Sequence, residues 1–197
     1  MPRPSQIDRQ RKRLIPLVTE LFSELGYRRT TTAELARRCE VRENILYRLW
    51  DDKKAMFVAA IDYLFEQRAE AWRKLLNDRR RRGSPAERLI AYEAKHQGEF
   101  GFYRIVFTAL SETDDPEVQA ALVQMYRRYH RLVCELIKEY RVEQSDESAL
   151  PADAAAWALM GLATISNVCR HLELLEPRRR ERMFAAVAEY LTTAAGA

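Results

Sequence analysis

Glu43, Asn44, Tyr47 and Arg48 place a carboxylate, a carboxamide, a phenol and a guanidinium at i, i+1, i+4 and i+5. A helix turns about 100° per residue, so this spacing gathers all four on one face. Val41, Ile45, Leu46, Leu49 and Trp50 fall on the other side. VRENILYRLW therefore reads as a short helix with one apolar and one hydrogen-bonding face. The polar set suits the edges of base pairs. Arginine grips guanine or a phosphate, asparagine pairs with adenine, and glutamate accepts from cytosine. The tyrosine suits a phosphate through its hydroxyl and a sugar or thymine methyl through its ring. Arg42 alone breaks the sorting, where the helix would begin.

The charge is distributed to match. Residues 1–54 hold 13 Lys and Arg against 8 Asp and Glu, whereas residues 55–197 hold 20 against 21. All of the surplus behind the net +4 thus surrounds this helix. Such a surplus implies a polyanionic partner, the alternative being a merely solvated basic face. Lys53 and Lys54 open the next helix, where the macrodipole disfavours cations by about 0.3–1 kcal/mol. Asp51 and Asp52 offset this, and a phosphate at that helix start would give Lys53 a direct role. Thr31 or Thr32, at the start of the preceding helix, is a second candidate phosphate contact.

The elements that hold these residues follow from spacing and punctuation. LVTELFSELG carries apolar residues at helical intervals up to Gly26, a helix stop. Thr31-Thr32-Ala33-Glu34 has the form of a capping box and opens a second helix with Leu35, Ala36 and Cys39 inward. Glu40-Val41 is the turn before the polar-faced helix, and Asp52 caps a long fourth one. Three short helices with that turn match a helix-turn-helix, whose second helix enters the major groove. Further amphipathic stretches cover roughly 85–97, 99–112, 116–141, 151–175 and 178–194, with Pro116, Pro151 and Pro177 in first turns. The expected fold is all-α, with about nine helices. Pro16 costs about 3 kcal/mol inside a helix, so helix one either starts near it or kinks there. Residues 1–12 are then a candidate basic arm. Arg79 to Arg82 read as a solvated turn at a helix C-terminus, with phosphate contact as the alternative.

Other classes find little support. Six glycines and seven prolines in 197 residues are too few for an all-β sandwich. No apolar run is read as reaching the roughly 18–20 residues of a membrane span, and no signal-type segment follows the basic N-terminus, so a cytoplasmic protein is expected. Cys39, Cys134 and Cys169 suit separate buried thiols in a reducing compartment. His130 and Cys134 share a face, and Cys169 lies near His171, but two ligands do not make a metal site. No motif for a catalytic residue or a cofactor is found. RNA is a poorer fit than DNA without a base-stacking sheet.

The stretch LFSELGYRRTTTAELARRCEVRENILYRLWDDKKAMF resembles the N-terminal domain of TetR/AcrR-type transcriptional regulators. The likeness rests on Leu21-Phe22, Gly26-Tyr27, the Thr-rich start of helix two, Leu35-Ala36, Val41, Leu46-Tyr47, Trp50 and Lys53, and covers about residues 13–60. Glu40 stands where glycine is usual, Arg42 where Ser or Thr caps helix three, and Asn44-Ile45 where Gly-Thr is frequent. The resemblance implies a homodimer with a three-helix DNA-binding head, assigned to residues 1–54. A helical ligand-binding and dimerisation domain is assigned to 55–197. The implied activity is repression at double-stranded operator DNA, relieved by a small-molecule effector. Alternatives are a ligand-independent DNA-binding regulator, or an interaction module or enzyme with an incidental helix-turn-helix. Among the C-terminal aromatics, Phe102, Tyr103, Phe107, Tyr126 and Trp157 are candidates to line a pocket for an apolar or aromatic effector, the alternative being plain core. Ala154, Ala158, Gly161, Ile165, Val187 and Leu191 are candidates for a four-helix dimer interface, the alternative being packing within the chain.

Overall fold

The computed structural model describes residues 6–78, 84–96, 102–144 and 150–192. Among these residues there are nine helices and no strand. They are α1 (Gln6–Leu25), α2 (Thr32–Arg38), α3 (Glu43–Leu49), α4 (Lys53–Asn77), α5 (Pro85–His96), α6 (Phe102–Leu110), α7 (Pro116–Gln144), α8 (Ala152–His171) and α9 (Pro177–Thr192). Their ends follow local chemistry. Gly26 takes φ 78 just past α1, and its N–H donates to the Phe22 carbonyl at 2.9 Å, a conformation that glycine adopts without a Cβ penalty. Asp52 caps α4 by accepting the Ala55 N–H at 2.6 Å. Pro85, Pro116 and Pro177 each stand first in a helix, where a missing N–H breaks no bond. Pro151 is the N-cap of α8.

The sequence expectation for helix one needs correction. α1 begins at Gln6 and carries Pro16 inside it, so residues 6–12 are helical and not a free arm. Pro16 has no N–H for the Lys12 carbonyl. Leu14, Val18, Leu21 and Phe22 are buried and form one helical stripe, so both sides of the proline are anchored in the core.

The chain divides into two compact units, Met1–Arg68 with Phe100–Met125 and Ala69–Glu99 with Tyr126–Ala197. In the first, Phe22, Leu35, Leu46, Leu49, Met56 and Phe57 are buried, and α6 adds Ile105 and Val106. The Phe57 ring lies 5.0 Å from Phe22 and 4.9 Å from Tyr27, distances at which aromatic pairs attract. In the second unit, Ala94, Phe184 and Ala188 form a core under Ile90, Leu159, Leu162 and Ala163. Arg88 donates to the Leu76 carbonyl at 3.1 Å and the Asp78 carbonyl at 2.5 Å, satisfying acceptors at the end of α4. The head assigned to residues 1–54 ends inside the first unit, which also takes in α4 to Arg68 and α6.

α8 corrects a second expectation. Within its 20 residues an 18-residue window reaches a mean hydropathy of 1.2, with 28% of that window buried, so by length and composition one stretch does meet the measure of a membrane span. Its apolar character is matched by bare surface: Trp157 is 48% exposed and Ile165 49%.

Candidate nucleic-acid interface

The turn that aims α3 is a Schellman motif. Val41 N–H donates to the Ala36 carbonyl at 3.0 Å and Glu40 N–H to the Arg37 carbonyl at 3.2 Å. This geometry requires a left-handed residue, usually glycine. Here Glu40 fills it with φ 53. Arg42 is the N-cap of α3, extended at φ −80 and ψ 151, and makes no side-chain capping bond.

The two faces read from the sequence are the two faces of α3. Leu46, Leu49 and Trp50 are buried and Val41 and Ile45 half-buried, while Arg42, Glu43, Asn44, Tyr47 and Arg48 are exposed. Burying Leu46 and Leu49 stabilises this packing by about 1.5–3 kcal/mol each. A helix of 7 residues depends on such packing, since isolated helices that short are unstable in water.

Both threonines at the start of α2 are engaged within the head. Thr31 accepts the Glu34 N–H at 3.2 Å, and Glu34 accepts the Thr31 N–H at 3.3 Å, the reciprocal capping box. Thr32 Oγ1 donates to Glu43 Oε2 at 2.8 Å, which links the first turns of α2 and α3.

Lys53 has a larger internal role than its position suggested. Its Nζ donates to the Tyr27 and Thr30 carbonyls, each at 3.1 Å, and lies 4.4 Å from the Tyr27 ring centroid. Two of three N–H groups are thus committed, leaving one for a phosphate. Lys54 turns instead to the start of α7, 2.7 Å from Glu117 and 3.3 Å from Asp115. Hydrogen bonds that it donates to Glu117 and Asp115 push its ammonium above the ordinary lysine range. Arg28 donates to Glu112 at 2.7 Å.

Two residues that the sequence did not single out touch α3. Arg11 Nε donates to the Leu49 carbonyl at 2.7 Å, and Arg48 Nη2 donates to Gln10 Oε1 at 2.7 Å. Each pair is 38 residues apart in the chain, so no local pattern announces them.

A family model described as bacterial regulatory proteins, tetR family, matches residues 19–60, the stretch that runs from α1 through the turn and α3 into α4. The chain thus carries that family's N-terminal segment over residues 19–60. The nucleoid occlusion factor SlmA of Haemophilus ducreyi is 42% identical over 62 residues, 32% of this chain and 31% of the relative. The chain thus matches about a third of that relative's length. Over its whole length, the chain shares its fold with a TetR-family transcriptional regulator from Cytophaga hutchinsonii. That structure gives a TM-score of 0.81 at 13% identity, covering 100% of both chains. Bacillus subtilis FadR, solved in complex with stearoyl-CoA, has a TM-score of 0.72 at 14% identity, covering 94% of this chain and 99% of its own.

The aromatic candidates are divided between the two compact units. Tyr103 is buried on α6 and Phe107 half-buried, their ring centroids 6.3 Å apart, in the unit that holds α3. The side chain of Phe102 and the run Arg79 to Arg82 lie outside the described residues. Tyr126 and Trp157 belong to the other unit. Burial pushes the Tyr126 phenol up. Trp157 stacks on His130 at 4.6 Å. Of the interface candidates, Ala158, Gly161 and Ile165 form an exposed stripe on α8 and Val187 is exposed on α9, while Ala154 and Leu191 are half-buried.

Proposed function

We propose that the chain is a cytoplasmic, homodimeric repressor that binds operator DNA through α3 and releases it when a small molecule binds. The observation that carries the reading is the exposed face of Arg42, Glu43, Asn44, Tyr47 and Arg48 on a helix whose other face is buried. Thr31, Thr32 and Lys53 border that face as candidate phosphate contacts. Two such helices enter successive major grooves about 34 Å apart on a near-palindromic site. A second copy docking on the bare face of α8 and α9 supplies the pairing. For the effector, the candidate wall residues Phe102, Tyr103, Phe107, Tyr126 and Trp157 favour an apolar or flat molecule. The stearoyl-CoA held by Bacillus subtilis FadR supports an apolar class. α4 runs from Lys53 to Asn77 and belongs to both compact units, which suits it to carry a shift from ligand to head. The ligand acts only through different affinity for the DNA-competent and released states.

A second reading, a ligand-independent DNA binder, is favoured by the name of the SlmA relative, a nucleoid occlusion factor. Selection of bound fragments from genomic DNA, followed by titration of small molecules against the recovered sites, separates the two. Near-palindromic sites that lose protein to a small molecule support the repressor. Sites indifferent to every molecule support the second reading. Footprints unchanged by Tyr47→Ala and Arg48→Ala remove both.

A further inference from the structure

We infer that Gln10 is a positioning residue for base readout, holding the Arg48 guanidinium in the pose in which it meets DNA. The inference rests on the reading of α3 as the recognition helix. α1 reaches back past Pro16, which deprives the Lys12 carbonyl of its helical donor, so the first turns of α1 depend on contacts beyond their own ladder. Three such contacts are present: Leu14 is buried at 1% exposure, Arg11 Nε donates to the Leu49 carbonyl at 2.7 Å, and Gln10 Oε1 accepts from Arg48 Nη2 at 2.7 Å. Leu14 anchors the segment. Arg11 places a cation on a carbonyl at the C-terminal end of α3, where the helix dipole favours positive charge.

Gln10 differs from these two, because its partner belongs to the polar face. Arg48 is exposed, and an exposed arginine samples many rotamers that base pairing must freeze. Its guanidinium has five N–H donors in a planar fork. One is taken by Gln10, which restrains the guanidinium and leaves its other donors for bidentate contact with guanine O6 and N7. A neutral carboxamide suits this role. It orients the arginine without neutralising the charge that the DNA attracts, as a carboxylate would.

Full-length wild type, Gln10→Ala, Arg48→Ala and the double variant are passed over a randomised duplex library, and the bound pools are sequenced. The best wild-type duplex and its single-base variants are then titrated with each protein. Gln10→Ala should weaken the best duplex about fivefold, roughly 1 kcal/mol at tenfold per 1.4 kcal/mol. The loss should be confined to the base pair at which Arg48→Ala flattens preference. In the Arg48→Ala background the same change should do nothing more. An equal effect of Gln10→Ala on every sequence, no effect at all, or a full effect without Arg48 overturns the positioning role while leaving α3 as the reader. If Arg48→Ala itself flattens no base pair, the reading of Arg48 fails and the role of Gln10 falls with it.

Discussion

At Glu40 a side chain bearing a Cβ sits at φ 53, where left-handed backbone costs roughly 1–2 kcal/mol for anything but glycine. The Schellman turn fixes this geometry because α2 must stop and α3 must leave at once. Glu40→Gly should therefore raise the stability of the head by about 1 kcal/mol, the relief of strain exceeding the entropy that glycine loses on folding. Thermal unfolding reads the change, and a lower midpoint would mean that the Glu40 side chain holds something in place. Lys53 supports the opposite expectation. Its ammonium satisfies the Tyr27 and Thr30 carbonyls, and Thr30 is fully buried. Lys53→Met keeps most of the volume but leaves both acceptors without that donor, so it should destabilise the head by about 2 kcal/mol. Weaker DNA binding by this variant must then be compared at a temperature where both proteins are folded. The type of Lys53 and its place at a helix start were legible as a search for negative charge. That two carbonyls 23 and 26 residues away answer it was not, since only the packed turn brings them within reach.

Most of the helices were legible because a residue with a local reason punctuates them. The Thr31–Glu34 box, Gly26, Asp52, Pro116 and Pro177 act within a turn of where they stand, and apolar spacing near 3.6 did the rest. Legibility failed at α1, where local and tertiary preferences conflict. Pro16 should break a helix by its own chemistry, yet α1 carries it between Gln6 and Leu25. Contacts of Gln10, Arg11 and Leu14 with the rest of the head outweigh the local penalty, and none of them shows in a window around Pro16. Pro16→Ala restores an N–H for the Lys12 carbonyl and removes the ring clash. It should stabilise the head by about 1–3 kcal/mol, measured by denaturant unfolding with the slope unchanged. A loss of stability would show instead that the chain is fitted to the bend a proline imposes.

At the scale of the whole molecule, the question is what covers α8 and α9. Trp157 and Ile165 on α8 and Tyr190 on α9 stand 48%, 49% and 65% exposed, and Leu172 and Leu174 extend the apolar surface beyond the end of α8. The spacing of Ala154, Ala158, Gly161 and Ile165 was visible in the sequence, but whether the stripe faced inward was not, because period alone does not distinguish a core from an interface. Gly161 separates the two. Among the described residues a Cβ built there meets nothing within 4 Å, so packing within them does not call for the missing side chain. Gly161→Ala should stabilise the isolated subunit by about 0.5–1 kcal/mol through helix propensity, yet weaken self-association if a second α8 approaches closely at that point. Ile165→Glu, on the same stripe, should leave the fold intact and, on the proposed reading of this face as the seam between two copies, abolish self-association by stranding a charge in an apolar contact. Sedimentation across a concentration series reads both, with operator binding on the same samples. A dimer untouched by either change would move the interface off this face, and a destabilised Gly161→Ala subunit would mean that the chain packs there after all.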